Sequence, residues 1–253
     1  MSAVLRRQPT DVAHVLPFEE VVAALGLRTQ RFVGQKVIPL ECIVGSVDRT
    51  REFDRGFRPT SERVRPRWER IAEAHHRGEA LPPIDVYKVG ELYFVQDGNH
   101  RVSVARALGR DDIDANVTEV GTEVGSEPTL TLRDLPLKSH ERLFFERVPL
   151  PRELRERIRL TAPRDYAALA EGVEAWGYRA MQGCGCFMTR GAVALAWFHE
   201  DFLPVVTSLR EVGLVRDGQS DAEAYIEVVT ERYDLMRTHD WSADIASQLS
   251  EKR

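Results

Sequence analysis

Tyr93-Phe94-Val95-Gln96-Asp97-Gly98-Asn99-His100-Arg101-Val102-Ser103-Val104-Ala105-Arg106-Ala107-Leu108-Gly109 decides the fold of this chain. An apolar, β-branched run leads into Asp97-Gly98-Asn99-His100. A helical pattern then runs from Arg101 to Leu108, where Gly109 can stop it. A helix start leaves backbone N–H groups without partners, and the helix dipole adds partial positive charge there. Gly98 lets backbone approach a ligand closely. His100 and Arg101 add donors, and a guanidinium can grip phosphate oxygens in a bidentate way. These features together suit an anion, most simply a phosphate. The reading requires the Arg101 guanidinium to face the same point as the amides, not an internal ion pair. A tight strand-to-helix turn capped by Asp97 or Asn99 fits the same residues, so both readings stay open.

Working outward, Leu81-Pro82-Pro83 is a rigid approach to a strand over Ile84–Val89. Gly90-Glu91 turns the chain, and Leu92–Gln96 returns as the second arm of a hairpin. Upstream, Pro17 opens a short helix over Phe18–Leu25 that Gly26 stops, behind a loose arm over 1–16. Lys36–Val44 reads as a strand in which Pro39 marks an edge or bend. A charged loop over 45–60 follows, and then a helix around Trp68, Ile71, Ala72 and His75 that Gly78 ends. Beyond the motif, Ile113–Val120 reads as a further strand. Residues 121–129 are the best linker, and helical patterns dominate after it. Those helices cover Arg152–Arg159, Pro163–Trp176, a segment starting at Thr189, and one starting at the capping box Ser220-x-x-Glu223. The expected fold class is α+β: a small mixed β-sheet flanked by helices over 1–122, then an all-helical domain over 123–253.

The 253 residues are 43% hydrophobic and 30% charged, with net charge −5, which suits one large or two modest soluble domains. An acidic total argues mildly against a dedicated nucleic-acid binder. Three cysteines, Cys42, Cys184 and Cys186, do not make a disulfide framework, and reduced thiols are expected. No long apolar run follows Met1–Arg7 and none is long enough to span a bilayer, so a cytoplasmic protein without a membrane partner is expected.

The stretch from Pro82-Pro83-Ile84 through the Asp97–Arg101 loop to Ile113-Asp114-Ala115-Asn116-Val117 resembles the N-terminal domain of bacterial ParB partition proteins and the related sulfiredoxins. The resemblance covers roughly residues 36–120. It implies a Gly-x-x-Arg loop, here Gly98 and Arg101, that opens a helix and holds nucleotide phosphates. Ile38-Pro39-Leu40, Asp48-Arg49 and Phe53 resemble the family's first strand and the charged segment after it. Asn99 stands where sulfiredoxins carry the cysteine they need, so repair of a sulfinic acid is not expected. No helix-turn-helix is evident in 130–253, which sets the chain apart from partition proteins proper. Residues 197–236 resemble a helical region found after ParB-like domains in bacterial proteins without an established activity.

The resemblance implies a nucleoside triphosphate, ATP or CTP, bound with Mg2+ and either hydrolysed or transferred to a small acceptor. Asp97, Gly98, Asn99, His100 and Arg101 would form the phosphate loop, with Arg49 adding charge from the facing loop. Asp48 is the first candidate for a base or for orienting the metal, and Glu41 the second, because some relatives use a glutamate near there. Solvated surface carboxylates are the plain alternative for both. A second copy of the chain is a further candidate partner. A ParB-like DNA-binding or regulatory protein is the rival, with the arginines between Arg49 and Arg70 tracking phosphates. A nuclease ranks lowest, since no carboxylate cluster builds a two-metal site. His75-His76 lacks a second ligand pair, so no resident metal is expected. Cys184-Gly185-Cys186 reads as a glycine-rich bend ahead of redox or metal chemistry, and Trp176, Trp197, Phe198, Phe202 and Tyr225 read as core.

Overall fold

A computed structural model describes residues 15–236. The chain divides into two compact units, 1–139 and 140–253. Among the described residues no helix is long and apolar enough to cross a membrane.

The first unit is built on a mixed sheet of six strands, counted among the described residues. These are β1 (Leu16–Pro17), β2 (Leu27–Pro39), β3 (Ile43–Ser46), β4 (Ile84–Val89), β5 (Leu92–Asp97) and β6 (Asp112–Thr122). Their order across the sheet is β1-β3-β5-β4-β6-β2. The β1/β3, β3/β5 and β4/β6 pairs are parallel, whereas β4/β5 and β2/β6 are antiparallel. Helix α1 (Phe18–Leu25) stops where Gly26, at φ 78°, turns its N–H back to the Val22 carbonyl. Helices α2 (Arg65–His76) and α3 (Asn99–Ala107) complete the unit, and α4 (Leu135–Arg147) carries the chain across its boundary.

The expected first strand is longer and differently placed. β2 begins at Leu27, nine residues before the expected Lys36, and ends at Pro39. Leu40–Cys42 then forms a 3-10 turn, and β3 is a separate strand. Arg28, Gln30 and Arg31 carry no strand signal of their own. They become strand by pairing with β6 at the sheet edge, where Arg31 bridges Glu119 at 2.9 Å. A register shift between Phe32 and Gly34, with Gly34 at φ 93°, marks a bulge in that edge. Leu16, expected in the loose arm, instead pairs with Gly45, and Pro17, which opens α1 as expected, pairs with Ser46; residues 1–14 of that arm lie outside the described residues.

One face of the sheet buries Ile38, Leu40, Ile43, Phe53, Phe57, Ile84, Val86, Val95, Val102, Ala105, Ala115 and Val117. Burying a side chain of this size contributes roughly 1.5–3 kcal/mol. Two of these, Phe53 and Phe57, come from the charged loop and explain why a run of arginines and acids is ordered. Arg106 of α3 fastens the same loop. It donates to the carbonyls of Arg55, Leu40 and Ile43 and lies over the Phe57 ring at 5.1 Å.

The second unit is helical: α5 (Arg152–Arg155), α6 (Pro163–Cys184), α7 (Arg190–Trp197), α8 (Leu203–Glu211) and α9 (Asp221–Met236). The expected helix over 152–159 is only one turn, and α6 continues eight residues past Trp176. Tyr166, Leu169, Ala170, Val173 and Gly177 form its buried stripe. Gly177 has no room for a side chain, since a Cβ there would lie 2.4 Å from Val193 of α7. The Thr189 hydroxyl caps α7 by accepting from the Ala192 amide, and Ser220 with Glu223 forms the reciprocal box at α9, both as expected. Trp197, Phe198, Phe202 and Tyr225 form a buried aromatic core, in which the Trp197 Nε1 donates to the Tyr225 hydroxyl and Tyr225 to Asp201. Asp221, 8% exposed, receives both Arg157 and Arg210 at 2.6 Å. Cys184 and Cys186 are joined by a disulfide, against the expectation of free thiols. Gly185, at φ 62°, folds the chain back and brings the two Cα atoms to 5.2 Å, within disulfide reach.

Candidate functional site

β3 and β5 lie side by side and parallel, so their carboxyl ends open at one edge of the sheet. In open sheets ligands collect at such ends. β3 runs out through Ser46 into Val47, Asp48 and Arg49. The buried Ser46 hydroxyl donates to the Val95 carbonyl and accepts from the Arg49 amide, and the Val47 amide also bonds Val95. β5 runs out through Gln96 and Asp97 into Gly98 and α3.

Gly98 sits at φ 108° and ψ 17° as the residue capping α3. A side chain there would drive a Cβ to 2.4 Å from the Ile84 side chain. Backbone conformation and space both demand glycine. No side chain caps α3, and the first helical bond is Val102 N–H to the Gly98 carbonyl. The amides of Asn99, His100 and Arg101 therefore start the helix without intrahelical partners.

A small cleft forms over this helix start, lined by Asp48, Arg49, Arg67, Ile71, Gln96, Asp97, Gly98, Asn99, His100 and Arg101. Seven of the eight residues expected from the sequence thus meet in one place. Glu41 does not. It stands exposed on the 3-10 turn before β3, at the opposite end of that strand. Its charge is felt there by Cys42, whose thiol is pushed up first by burial and then by Glu41 and Glu91. Glu41 is withdrawn as a catalytic candidate.

Arg101 is the second correction. Its Nη1 donates to the carbonyls of Pro82 at 2.6 Å and Pro83 at 2.7 Å, and its Nη2 pairs with Asp97 at 2.5 Å. The guanidinium is tied into the protein, and its side chain is only 13% exposed. The two proline carbonyls have no ladder partner at the start of β4, and Arg101 satisfies both. Arg101 and Asp97 therefore hold the loop in shape: the guanidinium sits in the internal ion pair that the sequence reading of the phosphate loop required it to avoid. An anion at this helix start would rest on the amides, Asn99, His100, Arg49 and Arg67 and not on Arg101.

Two other groups are left wanting partners. Asn99 and His100 are each only 5% exposed, yet Asn99 Oδ1 and His100 Nδ1 have no hydrogen bond. A buried polar atom without a partner costs about 1–3 kcal/mol. The His100 ring stands edge-on to Phe53 at 5.4 Å. Burial lowers its pKa below the ordinary 6.5, and Arg67 and Arg49 lower it further against a smaller opposing pull from Glu52. Burial and the neighbouring cations thus favour the neutral form of the His100 imidazole.

The cations responsible stand on two walls. Arg49 pairs with Glu52 at 2.8 Å, both side chains about 40% exposed, and such a pair is worth only about 0–1 kcal/mol. Arg67 lies exposed on α2 with no hydrogen-bond or ion-pair partner among the described residues. Helix α2 buries no residue among those described. The Trp68 indole N–H donates to the buried Ser103 hydroxyl of α3 at 3.0 Å and holds α2 beside the site. Sequence reasoning took Arg67 only as part of a basic stretch. Its signal was the i, i+4 spacing with Ile71, which puts both on the face that Trp68 turns toward α3.

The cleft encloses about 70 Å³, the room of roughly two waters at about 30 Å³ each.

Two solved structures are similar to this chain. A sulfiredoxin from Arabidopsis thaliana is 23% identical, with a TM-score of 0.26, over 33% of this chain and 82% of that one. A Pnob8-like ParB-N domain is 10% identical, with a TM-score of 0.24, over 88% of this chain and 90% of that one. Neither likeness says what this chain binds. No family model and no curated protein matches it.

Proposed function

We propose that the chain binds the terminal phosphates of a nucleoside triphosphate, ATP or CTP with Mg2+, at the start of α3, and uses it for hydrolysis or for transfer to a small acceptor. One observation carries this reading: two nearly buried polar side chains without partners, Asn99 and His100, flank an uncapped helix start in a positive field. The amides and a neutral His100 N–H would donate to phosphate oxygens, and Arg49 and Arg67 would close on them from either side. Arg49 loses little by leaving Glu52.

The donor set bears on the metal. Among the described residues no three His, Cys, Asp or Glu side chains gather as a metal site. Mg2+ commonly takes one or two protein oxygens and leaves the rest to phosphates and water. Asp48 and the unpartnered Asn99 Oδ1 fit that role, and the ion would neutralise charge on the phosphates. Asp48 is exposed at the mouth, where a carboxylate can accept a proton from water or from an acceptor hydroxyl. The small cleft supports end-on entry of the polyphosphate with base and sugar outside.

The DNA reading has weaker support. Arg49 is paired with Glu52, and Arg65 with Glu62 and Glu69, which takes two of the eight arginines of that stretch out of a basic track. DNA binding would weaken steeply with salt.

Isothermal titration of ATP and CTP with Mg2+ tests the reading. Arg67→Ala should weaken binding roughly ten- to a hundredfold, the range of a charge-assisted bond of about 1.5–3 kcal/mol, and leave the melting temperature unchanged. Arg101→Ala should lose binding and stability together. Equal binding by wild type and Arg67→Ala would remove the cleft from the function.

A further inference from the structure

The connection between α6 and α7 is unrelated to the phosphate cleft and carries chemistry of its own. It holds Gly183-Cys184-Gly185-Cys186-Phe187, every residue of it exposed, with Phe187 89% so. Cys184 closes α6, Gly185 takes the left-handed conformation, and the disulfide to Cys186 spans a sequence separation of 2. Nothing lies within 4 Å of where a Cβ would stand at Gly183 or Gly185. Both cysteines of the S–S bond are exposed residues, and the chain around them is uncrowded at the two glycines.

As a structural staple this bond has little to do. Cross-linking stabilises by restricting the unfolded chain, and the gain shrinks with loop length, so a three-residue ring gains least. The bond joins no two distant elements. The junction is held without it: the Met188 amide contacts the Met181 sulfur at 3.4 Å, and the Thr189 hydroxyl caps α7. Exposed disulfides of this kind have the more oxidising potentials and exchange readily, whereas buried staples resist reduction. Cys42 differs. It is partly buried, has no disulfide partner, and its thiol is held above its ordinary pKa.

We propose that Cys184 and Cys186 form a thiol–disulfide exchange site whose co-substrate is a low-molecular-weight thiol. A thiolate of the co-substrate attacks one sulfur of the pair. A mixed disulfide forms there, and the other cysteine leaves as a thiolate and takes a proton. A second thiolate attacks the mixed disulfide and releases the first cysteine. The pair gains two electrons and two protons, and two molecules of thiol become one small disulfide. The reverse sequence restores the protein disulfide. The exposure of both cysteines and the glycine on either side of Cys184 give the attacking sulfur its approach.

The test uses the full chain in buffers of graded reduced and oxidised glutathione, quenched by alkylation and mapped by peptide mass. The native pair should be reduced within about tenfold of the rate measured in urea, because folding does not shield it. Returned to oxidised glutathione, wild type should regenerate the Cys184–Cys186 bond without a lasting adduct. Cys184→Ser and Cys186→Ser should each stall with one glutathione on the surviving thiol. A native rate on the order of a hundredfold or more below the unfolded one would make the bond a shielded staple. Glutathione retained on both wild-type cysteines would show that they do not resolve each other. Either result overturns the proposal.

Discussion

At the scale of single residues, the site is defined by what its side chains lack. His100 and Asn99 are buried without partners, whereas Arg101, the most conspicuous cation of the loop, is fully engaged. His100 makes a pH prediction. Its pKa in the folded chain is lowered by burial and by Arg67 and Arg49. Below the ordinary value of 6.5 the unfolded chain therefore holds more protons than the folded one. His100 contributes no penalty above that value, and stability falls as pH drops through it toward the lower folded pKa. Urea unfolding at pH 7.5 and pH 5.5 should show this loss in wild type and a smaller one in His100→Gln. An identical pH dependence in both would mean that His100 titrates normally. The sequence located Asn99, His100, Arg101 and Arg49 but not Arg67, and it could not tell a ligand-facing guanidinium from a tethered one. That difference depends on the Pro82 and Pro83 carbonyls, whose need for a donor shows only once β4 is laid beside β5.

At the scale of elements, the strand–glycine–helix turn was legible because three local signals agree: a β-branched run, a glycine, and a helical apolar period. The α3 start moved by two residues, to Asn99, an ordinary displacement for a helix end. β2 was not legible over its first half, since an edge strand with Arg28, Gln30 and Arg31 owes its form to β6. Nor could the sequence show that Glu41 and Asp48 occupy opposite ends of β3. A short 3-10 turn that divides one expected strand into two settles their positions. Gly98 gives this scale its prediction. Gly98→Ala combines a left-handed φ of 108° with a Cβ 2.4 Å from Ile84. Strain of about 1–2 kcal/mol and overpacking of about 1–3 kcal/mol should together lower stability by roughly 2–5 kcal/mol. Thermal unfolding checks it, and a melting temperature equal to that of wild type would show that the turn tolerates a side chain.

At the scale of the molecule, two units carry two cores: the sheet face around Phe53, Phe57 and Val102, and the helical cluster around Trp197, Phe202 and Tyr225. Asp221 is central to the second. Burial would raise its carboxyl, but the hydrogen bonds from Arg157 and Arg210 outweigh that and hold it below its ordinary value. Asp221→Ala leaves two arginines without their shared partner and should destabilise this unit by about 1–3 kcal/mol, less than a fully buried pair because both arginines are part exposed. Denaturant unfolding followed by tryptophan fluorescence measures the loss. An unchanged midpoint would make the cluster ornamental. Composition and period identified this unit as helical but did not show how Asp221 gathers Arg157, 64 residues away in sequence, and Arg210, 11 residues away, onto one carboxylate.

The most direct measurement is the 15N spectrum of the His100 ring in full-length protein as Mg2+ with ATP or CTP is added. Phosphate docking at the start of α3 predicts a saturable shift of the Nδ1 resonance, lost in Arg67→Ala at the same nucleotide concentration. Nucleotide that binds and leaves the His100 ring nitrogens unmoved would contradict the account.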